Sequence, residues 1–327
     1  MLSVFVPEPQ GLARVPWEPG GALPKEALWF DLLEPSPDEE RAVEQVLGVD
    51  VPTREEMREI EASNRFYEEQ GAVYMTATIV TKLDTDLPQS TQVTFILNGS
   101  HLVTNRYTDP LPFRRFVAYA ETHPATCSSP MMLLAGLLES IINRIADVIE
   151  RVAADLDQTS TEVFATTRAR RRGAPRNLDF RVVLGRVGQS GELVSKARES
   201  LVSLGRLLVF VQQSSTVQMT QDARTRFRTL SRDVIAMSDH SSFLGDKVTF
   251  VLDATLGMVT IDQNNILKIF SVVTVFLLPP SVIAGIFGMN FEHMPWLHDG
   301  WGFLAAIGAM VASALLPWMW FKHKRWL

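Results

Sequence analysis

Between Met131 and Arg172 apolar residues recur at steps of three and four: Leu134, Leu138, Ile141, Ile145, Val148, Val152 and Leu156. That spacing lays one stripe along an amphipathic helix. A break follows at Gly173-Ala-Pro175, and a second helix is expected from about Leu178 to Asp222. A third begins near Thr229, with Val234, Met237, Ser241, Leu244, Val248, Val251, Thr255 and Met258 on one face. Gly257 is its one internal weak point, and no strong stop precedes Phe287. The pattern therefore predicts a single rod of roughly 60 residues, about 90 Å at the α-helical rise. A helix of that length asks for partners along it.

Two uncharged stretches of about 20 residues, Ile269–Phe287 and Trp301–Phe321, are each long enough to cross ~30 Å of hydrocarbon. The loop between them carries Glu292 and Asp299 and no Lys or Arg. Lys268 precedes the first stretch, and Lys322, Lys324 and Arg325 follow the second. By the positive-inside rule the loop is outside and both termini are cytoplasmic. Trp296 and Trp301 on one side, with Trp318, Trp320 and Trp326 on the other, suit the two membrane interfaces. The alternative is a buried apolar hairpin of a soluble protein.

Upstream, the pattern changes to a compact α+β domain. Ser36-Pro-Asp-Glu39 is a capping box with Pro at the first helical position, the helix runs to Gly48, and Thr53-Arg-Glu-Glu56 repeats the capping signal. Ala72–Val80 reads as a strand. Gln92–Leu97 joins His101–Arg106 through Asn98-Gly99, the pair a type I′ turn favours. His101 and His123 stand apart from other ligand types and read as ordinary fold residues.

Charge narrows the functional classes. With 31 Lys+Arg against 37 Asp+Glu the chain carries −6 at neutral pH, which argues against a general nucleic-acid binder. A mean hydropathy of +0.07 reflects the two apolar stretches. Cys127 is the single cysteine, so there is no internal disulfide and no paired-cysteine metal cluster, and a reducing compartment fits the bulk of the chain. The start, MLSVFVPEPQ, lacks the basic and apolar run of a cleaved leader. No Walker A pattern, HExxH or Gly-x-Ser-x-Gly is present, so neither ATP-driven pumping nor hydrolysis is expected, and the chain does not read as an enzyme. An ion gradient suffices: for a divalent ion the membrane potential supplies 2 × ~2.3 kcal/mol per 100 mV.

Gly288-Met289-Asn290 follows the first apolar stretch directly, then Phe291-Glu292 and Met294-Pro295, and the second stretch ends in Phe321-Lys-His-Lys-Arg-Trp-Leu327. In this position, behind a long helix and an α+β domain, the tripeptide resembles the signature of the CorA magnesium-channel family, over essentially the whole chain. ZntB-type zinc transporters are similar in fold but often vary the middle residue, so Met289 and the following FEHMP favour the CorA branch. The resemblance implies a funnel-shaped homopentamer: an α+β cytoplasmic domain (1–128), a long antiparallel helical hairpin (129–228), and a stalk helix (229–287) continuing into transmembrane span 1 (about 268–287). An extracytoplasmic loop (288–300), span 2 (301–321) and a basic cytoplasmic tail (322–327) complete the two-helix transmembrane hairpin. It also implies a selectivity filter at Gly288, Met289 and Asn290, and one proline where this chain has Pro279-Pro280.

Mg2+ holds its waters tightly and prefers octahedral oxygen coordination, so a pore that passes it grips the hydrated ion through neutral acceptors. A ring of Asn290 carboxamides at the outer mouth supplies them, near Glu292, and the partially negative C-terminal end of span 1 adds attraction. The local alternative is that Gly-Met-Asn is only a left-handed helix stop. Along span 1, Asn264, Leu267, Ser271, Thr274, Leu278, Ser281 and Gly285 share a face that is small, polar or aliphatic and never charged. It suits either a narrow wet path with constrictions at Leu267 and Leu278 or a helix–helix seam. Pro279-Pro280 predicts a kink. Asp253, three turns below Asn264, is expected to line the pathway and is a candidate metal contact by its phase and its place in the family pattern; Asp246 and Asp262 compete with it. The acids at 55–61 read as solvated helix surface or as regulatory metal ligands at a subunit interface. Arg168, Arg170, Arg171, Arg172 and Arg176 read as a solvated tip or as a patch near anionic lipid.

The expected function is Mg2+ influx through an inner-membrane channel gated by cytoplasmic Mg2+, with hydrated divalent cations, the bilayer and further copies of the chain as partners and no nucleic acid. The alternatives are transport of Co2+, Ni2+ or Zn2+, which the uncharged, thiol-free face disfavours, and a non-conducting membrane-anchored sensor.

Overall fold

The computed structural model describes residues 1–83, 85, 88–171, 179–289 and 300–323. Asn290, Glu292, Trp296, Asp299, Lys324, Arg325 and Trp326, and Arg172 and Arg176 of the basic tip, lie outside the described residues. The chain divides into two units, Met1–Asp253 and Ala254–Leu327.

The first unit opens with β1 (Leu2–Glu8), β2 (Gly11–Val15), β3 (Trp29–Leu33) and α1 (Pro37–Leu47). Ser36 caps α1: its hydroxyl accepts from Glu39 N–H at 3.4 Å while the Glu39 carboxylate accepts from Ser36 N–H at 2.8 Å. Gly48, at φ +63°, ends the helix. The second capping signal starts only a three-residue 3-10 turn, Glu56–Arg58, although Thr53 and Glu56 do bond reciprocally. The expected helix over this acidic run does not form, because Ile60, the apolar residue after buried Met57, is 85% exposed and no buried stripe sustains one.

After a short α2 (Ala62–Arg65) come β4 (Phe66–Glu69), β5 (Ala72–Thr81), β6 (Gln89–Asn98) and β7 (His101–Arg106). One seven-stranded sheet runs β2-β1-β3-β7-β6-β5-β4, antiparallel except where β3 meets β7. The β6–β7 turn differs from expectation by one residue. Asn98 pairs with His101, so Gly99-Ser100 form the loop, and of these only Gly99 has a positive φ, +55°. That is the φ signature of a type II′ turn. Asn98 stays in the strand because its amide donates to the Leu47 carbonyl at 2.6 Å and ties the hairpin to the end of α1.

α3 (Leu111–Ala120), α4 (Pro130–Arg171) and α5 (Phe180–Gln213) follow, then α6 (Gln221–Phe287) and α7 (Gly302–His323). All seven residues of the predicted α4 stripe are buried. α5 stops sooner than expected and α6 begins earlier. Ser214 leaves the helix at ψ 130°, and the Thr220 hydroxyl accepts from Ala223 N–H at 3.3 Å to cap α6. On α6, Val234, Ser241, Leu244, Val251, Thr255 and Met258 are buried as predicted, with Met237 and Val248 half-buried.

The sheet is covered on both faces. Val4, Phe30, Leu32, Tyr74, Ile96 and Val103 pack with Val43 of α1. Trp29, Met75, Phe95 and Leu102 pack with α3, α4 and α5. β4 pairs with Ala72–Met75 only, so the outer edge of β5 is open from Thr76 onward. Buried serines of α5 close it: Thr78 N–H donates to Ser203 Oγ and Ser200 Oγ–H donates to the Thr78 carbonyl, each at 2.9 Å. An exposed sheet edge is thereby satisfied by side chains.

At the parallel β3–β7 junction Arg106 grips both oxygens of Asp31, at 3.0 and 2.8 Å. Thr104 donates to Asp31 at 2.7 Å and accepts from Trp29 Nε1 at 2.9 Å. The guanidinium lies 4.6 Å from the centre of the Phe113 ring. Burial pushes the Arg106 pKa down, but the hydrogen bonds and charges of Asp31 and Asp109 outweigh it and raise it. Removing Asp31 leaves the buried guanidinium only the half-exposed Asp109 carboxylate at 2.8 Å, so Asp31→Ala is expected to cost about 3 kcal/mol, the lower end for a broken buried pair. Thermal unfolding of the purified full chain checks this, and a midpoint equal to wild type contradicts it.

Candidate functional site

α6 continues through Ala254–Phe287 without interruption, Pro279 and Pro280 included. No residue of its most apolar 18-residue window is buried, and α7 supplies a second helix long and apolar enough to cross a membrane. The helices meet where the Phe276 and Phe321 rings lie 6.1 Å apart, with Phe321 and Ala306 buried. Trp301, Trp318 and Trp320 are exposed. Lys322 Nζ sits 4.8 Å over the Trp318 ring, and Lys268 is exposed at the start of the apolar stretch.

At 100° per residue, Asp253, Asn264, Leu267, Ser271, Thr274, Leu278, Ser281 and Gly285 all fall within an arc of about 100°, and all eight are exposed. Asp246 shares the arc and is exposed. Asp262 lies about 160° from Leu278, on the far side. Each hydroxyl on this face already donates to the carbonyl four residues back: Ser271 to Leu267 at 2.9 Å, Thr274 to Phe270 at 2.8 Å and Ser281 to Leu277 at 2.7 Å. Their oxygens therefore present lone pairs outward, the polarity that receives hydrogens from cation-bound water. Thr260, in phase with Leu278, does the same to Leu256 at 3.0 Å. Sequence reading passed over Thr260; its spacing of eleven residues, three turns, before Ser271 was the available signal.

The helix ends with Gly288 N–H donating to Ala284 at 2.8 Å and Met289 N–H donating to Ile286 at 3.2 Å, a tightened last turn. Gly288 is not among the glycines of positive φ, so a left-handed stop does not explain it. A Cβ at Gly288 would stand 3.1 Å from the Ala284 carbonyl oxygen, a tight approach to backbone. Met289 is exposed beside it.

The sequence profile of the family described as CorA-like Mg2+ transporter protein matches residues 24–323. The chain belongs to this CorA-like family. Proteins named magnesium transport protein CorA from Salmonella typhimurium and from Escherichia coli K12 are each 32% identical over 327 residues, covering 100% of both chains. The complete structure of the CorA magnesium transporter from Methanocaldococcus jannaschii superposes with a TM-score of 0.77 at 18% identity, covering 100% of this chain and 99% of that one. The fold is thus the CorA fold: an N-terminal α/β unit, long helices and a C-terminal apolar helix.

Elsewhere in this CorA-like chain the candidate ligands stay apart. His101 Nδ1 lies 2.7 Å from the Ala27 carbonyl, and His123 stacks on Tyr119 with centroids 3.8 Å apart. Among the described residues no three of His, Cys, Asp or Glu gather to hold a metal ion. Burial pushes the Cys127 thiol up to about 11, which leaves it unreactive near neutral pH.

Proposed function

We propose that the chain is a Mg2+ channel of the cytoplasmic membrane, with both termini cytoplasmic, in which five copies surround the pore with their first spans. The observation that carries this reading is the uncharged face of α6, lined with outward lone pairs and running up to Gly288-Met289-Asn290 on a helix whose apolar window the chain itself leaves unburied. A hydrated Mg2+ presents hydrogens to its surroundings, and carbonyl-type and hydroxyl acceptors receive them without stripping the shell. The 1–128 domain is then the cytoplasmic part, 229–287 the stalk and first span, and 288–300 the outer loop, with Asn290 holding the hydrated ion and Glu292 adding negative charge. Asp253 forms an acidic ring below the membrane. Lys268 and Lys322, with Lys324 and Arg325, anchor the inner interface. The chain needs no chemistry of an enzyme for this. Zn2+, Co2+ or Ni2+ transport has less support, since no thiol or imidazole lies on the face. Restored growth in low-Mg2+ medium of cells lacking their own Mg2+ uptake tests the function; no restoration by a membrane-inserted chain rejects it.

Cytoplasmic Mg2+ closes the channel in this account. Carboxylates bridging neighbouring copies bind the ion in the closed arrangement, and occupancy stabilises that state by RT ln(1 + [L]/Kd). Chelation is expected to raise protease cleavage of the long helices relative to millimolar Mg2+. Equal protection under both conditions contradicts the regulatory role.

A further inference from the structure

The chain is acidic as a whole, with a net charge of −6. Against that background one small cavity in the α/β unit is cationic. It has a volume of about 160 Å3 and is walled by Arg54, Met57, Arg58, Tyr107 and Thr108, with the β6 segment from Gln89 to Gln92 closing it. Arg54 and Arg58 sit four residues apart across the Glu56–Arg58 turn, whose backbone is held by the Thr53–Glu56 capping bonds. The Arg54 guanidinium lies 5.3 Å from the centre of the Tyr107 ring, which steadies its approach.

Neither arginine has an ion pair among the described residues. Arg41, Arg106, Arg114, Arg186 and Arg226, by contrast, each reach a carboxylate. The nearby carboxylate with a bond to the wall is Glu199, and it is occupied by the Ser90 hydroxyl at 3.3 Å. The polar groups at this end of β7 are also short of partners. Among the described residues, three buried side-chain polar atoms have no partner, and two of them are Thr108 Oγ1 and Asn105 Oδ1. Thr108 lines the cavity, and Asn105 reaches Met57 of its wall, with Nδ2 at 3.6 Å from Sδ. Buried polar groups without partners are rare in folded proteins and mark places where a ligand or water is bound.

We propose that this cavity binds a phosphate-class oxyanion, held by the Arg54 and Arg58 guanidiniums with Thr108 as a hydroxyl donor. Paired guanidiniums match a tetrahedral oxyanion in charge and in their planar array of donors, and they repel the cations the chain transports. At ~30 Å3 per water the cavity holds about five waters, room for one phosphate group and not for a nucleoside as well. The occupant is therefore free phosphate or the terminal phosphate of a nucleotide whose base stays outside. This site is independent of the pore, and neither reading depends on the other.

The test is calorimetric titration of the purified full chain in detergent, at constant ionic strength, with inorganic phosphate and, separately, with ATP in the absence of Mg2+. Saturable binding of phosphate is expected, weakened at least tenfold in Arg54→Gln/Arg58→Gln and several-fold in Thr108→Val. Thermal unfolding of the variants confirms that they are folded. Binding of ATP tighter than phosphate assigns the source to a nucleotide; equal or weaker ATP binding assigns it to free phosphate. No saturable binding by wild type, binding indifferent to the arginine changes, or equal binding of chloride overturns the proposal.

Discussion

Asn290→Ala is expected to abolish Mg2+ uptake while the chain still reaches the membrane and assembles. The carboxamide oxygen is the acceptor that the account places against the first-shell waters of the ion, and alanine deletes it from every copy at once. A hydrogen bond involving a charged partner contributes about 1.5–3 kcal/mol. Losing even one such bond at the limiting position slows transfer about ten- to a hundredfold, and a ring loses several. Oligomer size on a gel-filtration column is expected to stay that of wild type. Mg2+ flux equal to wild type in this variant sinks the filter assignment.

Leu278→Ser is expected to raise basal conductance, even at high Mg2+. Several leucines converging on one axis exclude water from a narrow path, and a serine in their place wets it. The control is its neighbour. Leu277 and Leu278 are exposed alike in the single chain, at 62% and 60%, so exposure does not separate them. Helical phase does: Leu277 is turned about 100° from Leu278 and falls about 40° outside the edge of the arc, which lies at Ser281. Leu277→Ser is therefore expected to alter lipid contact or packing with little leak. Flux or single-channel records decide between them. If Leu277→Ser leaks and Leu278→Ser does not, the pore face is turned by about one residue.

What the sequence revealed well is what depends on local period. The α4 stripe and the inner side of α6 follow from steps of three and four, and the structure buries all of the former and all of the latter but half-buried Met237 and Val248. The α1 cap was legible because its partners, Ser36 and Glu39, are three residues apart. The turn between β6 and β7 was missed by one residue because its register depends on a bond from Asn98 to Leu47, fifty-one positions away. The Thr53 signal misled because capping starts a helix but only a buried face sustains it. The Asp31–Arg106 pair was invisible for the same kind of reason: its members stand 75 residues apart and meet only through a parallel strand pairing. The candidate pore face lies between these cases. Its phase is local and could be read directly, including the position of Thr260 that was passed over. In this account other copies of the chain cover it in the membrane, and period alone does not describe them.

The central claim is that this chain conducts Mg2+ through a path selective for the hydrated ion. Influx into sealed proteoliposomes holding an indicator, driven by an inside-negative potential and read with Mg2+ and with Zn2+ in parallel, tests it most directly. The account predicts rapid Mg2+ influx that saturates, falls to the protein-free rate in Asn290→Ala, and exceeds Zn2+ influx. Zn2+ influx without Mg2+ influx, or no influx of either ion by a correctly inserted chain, contradicts it.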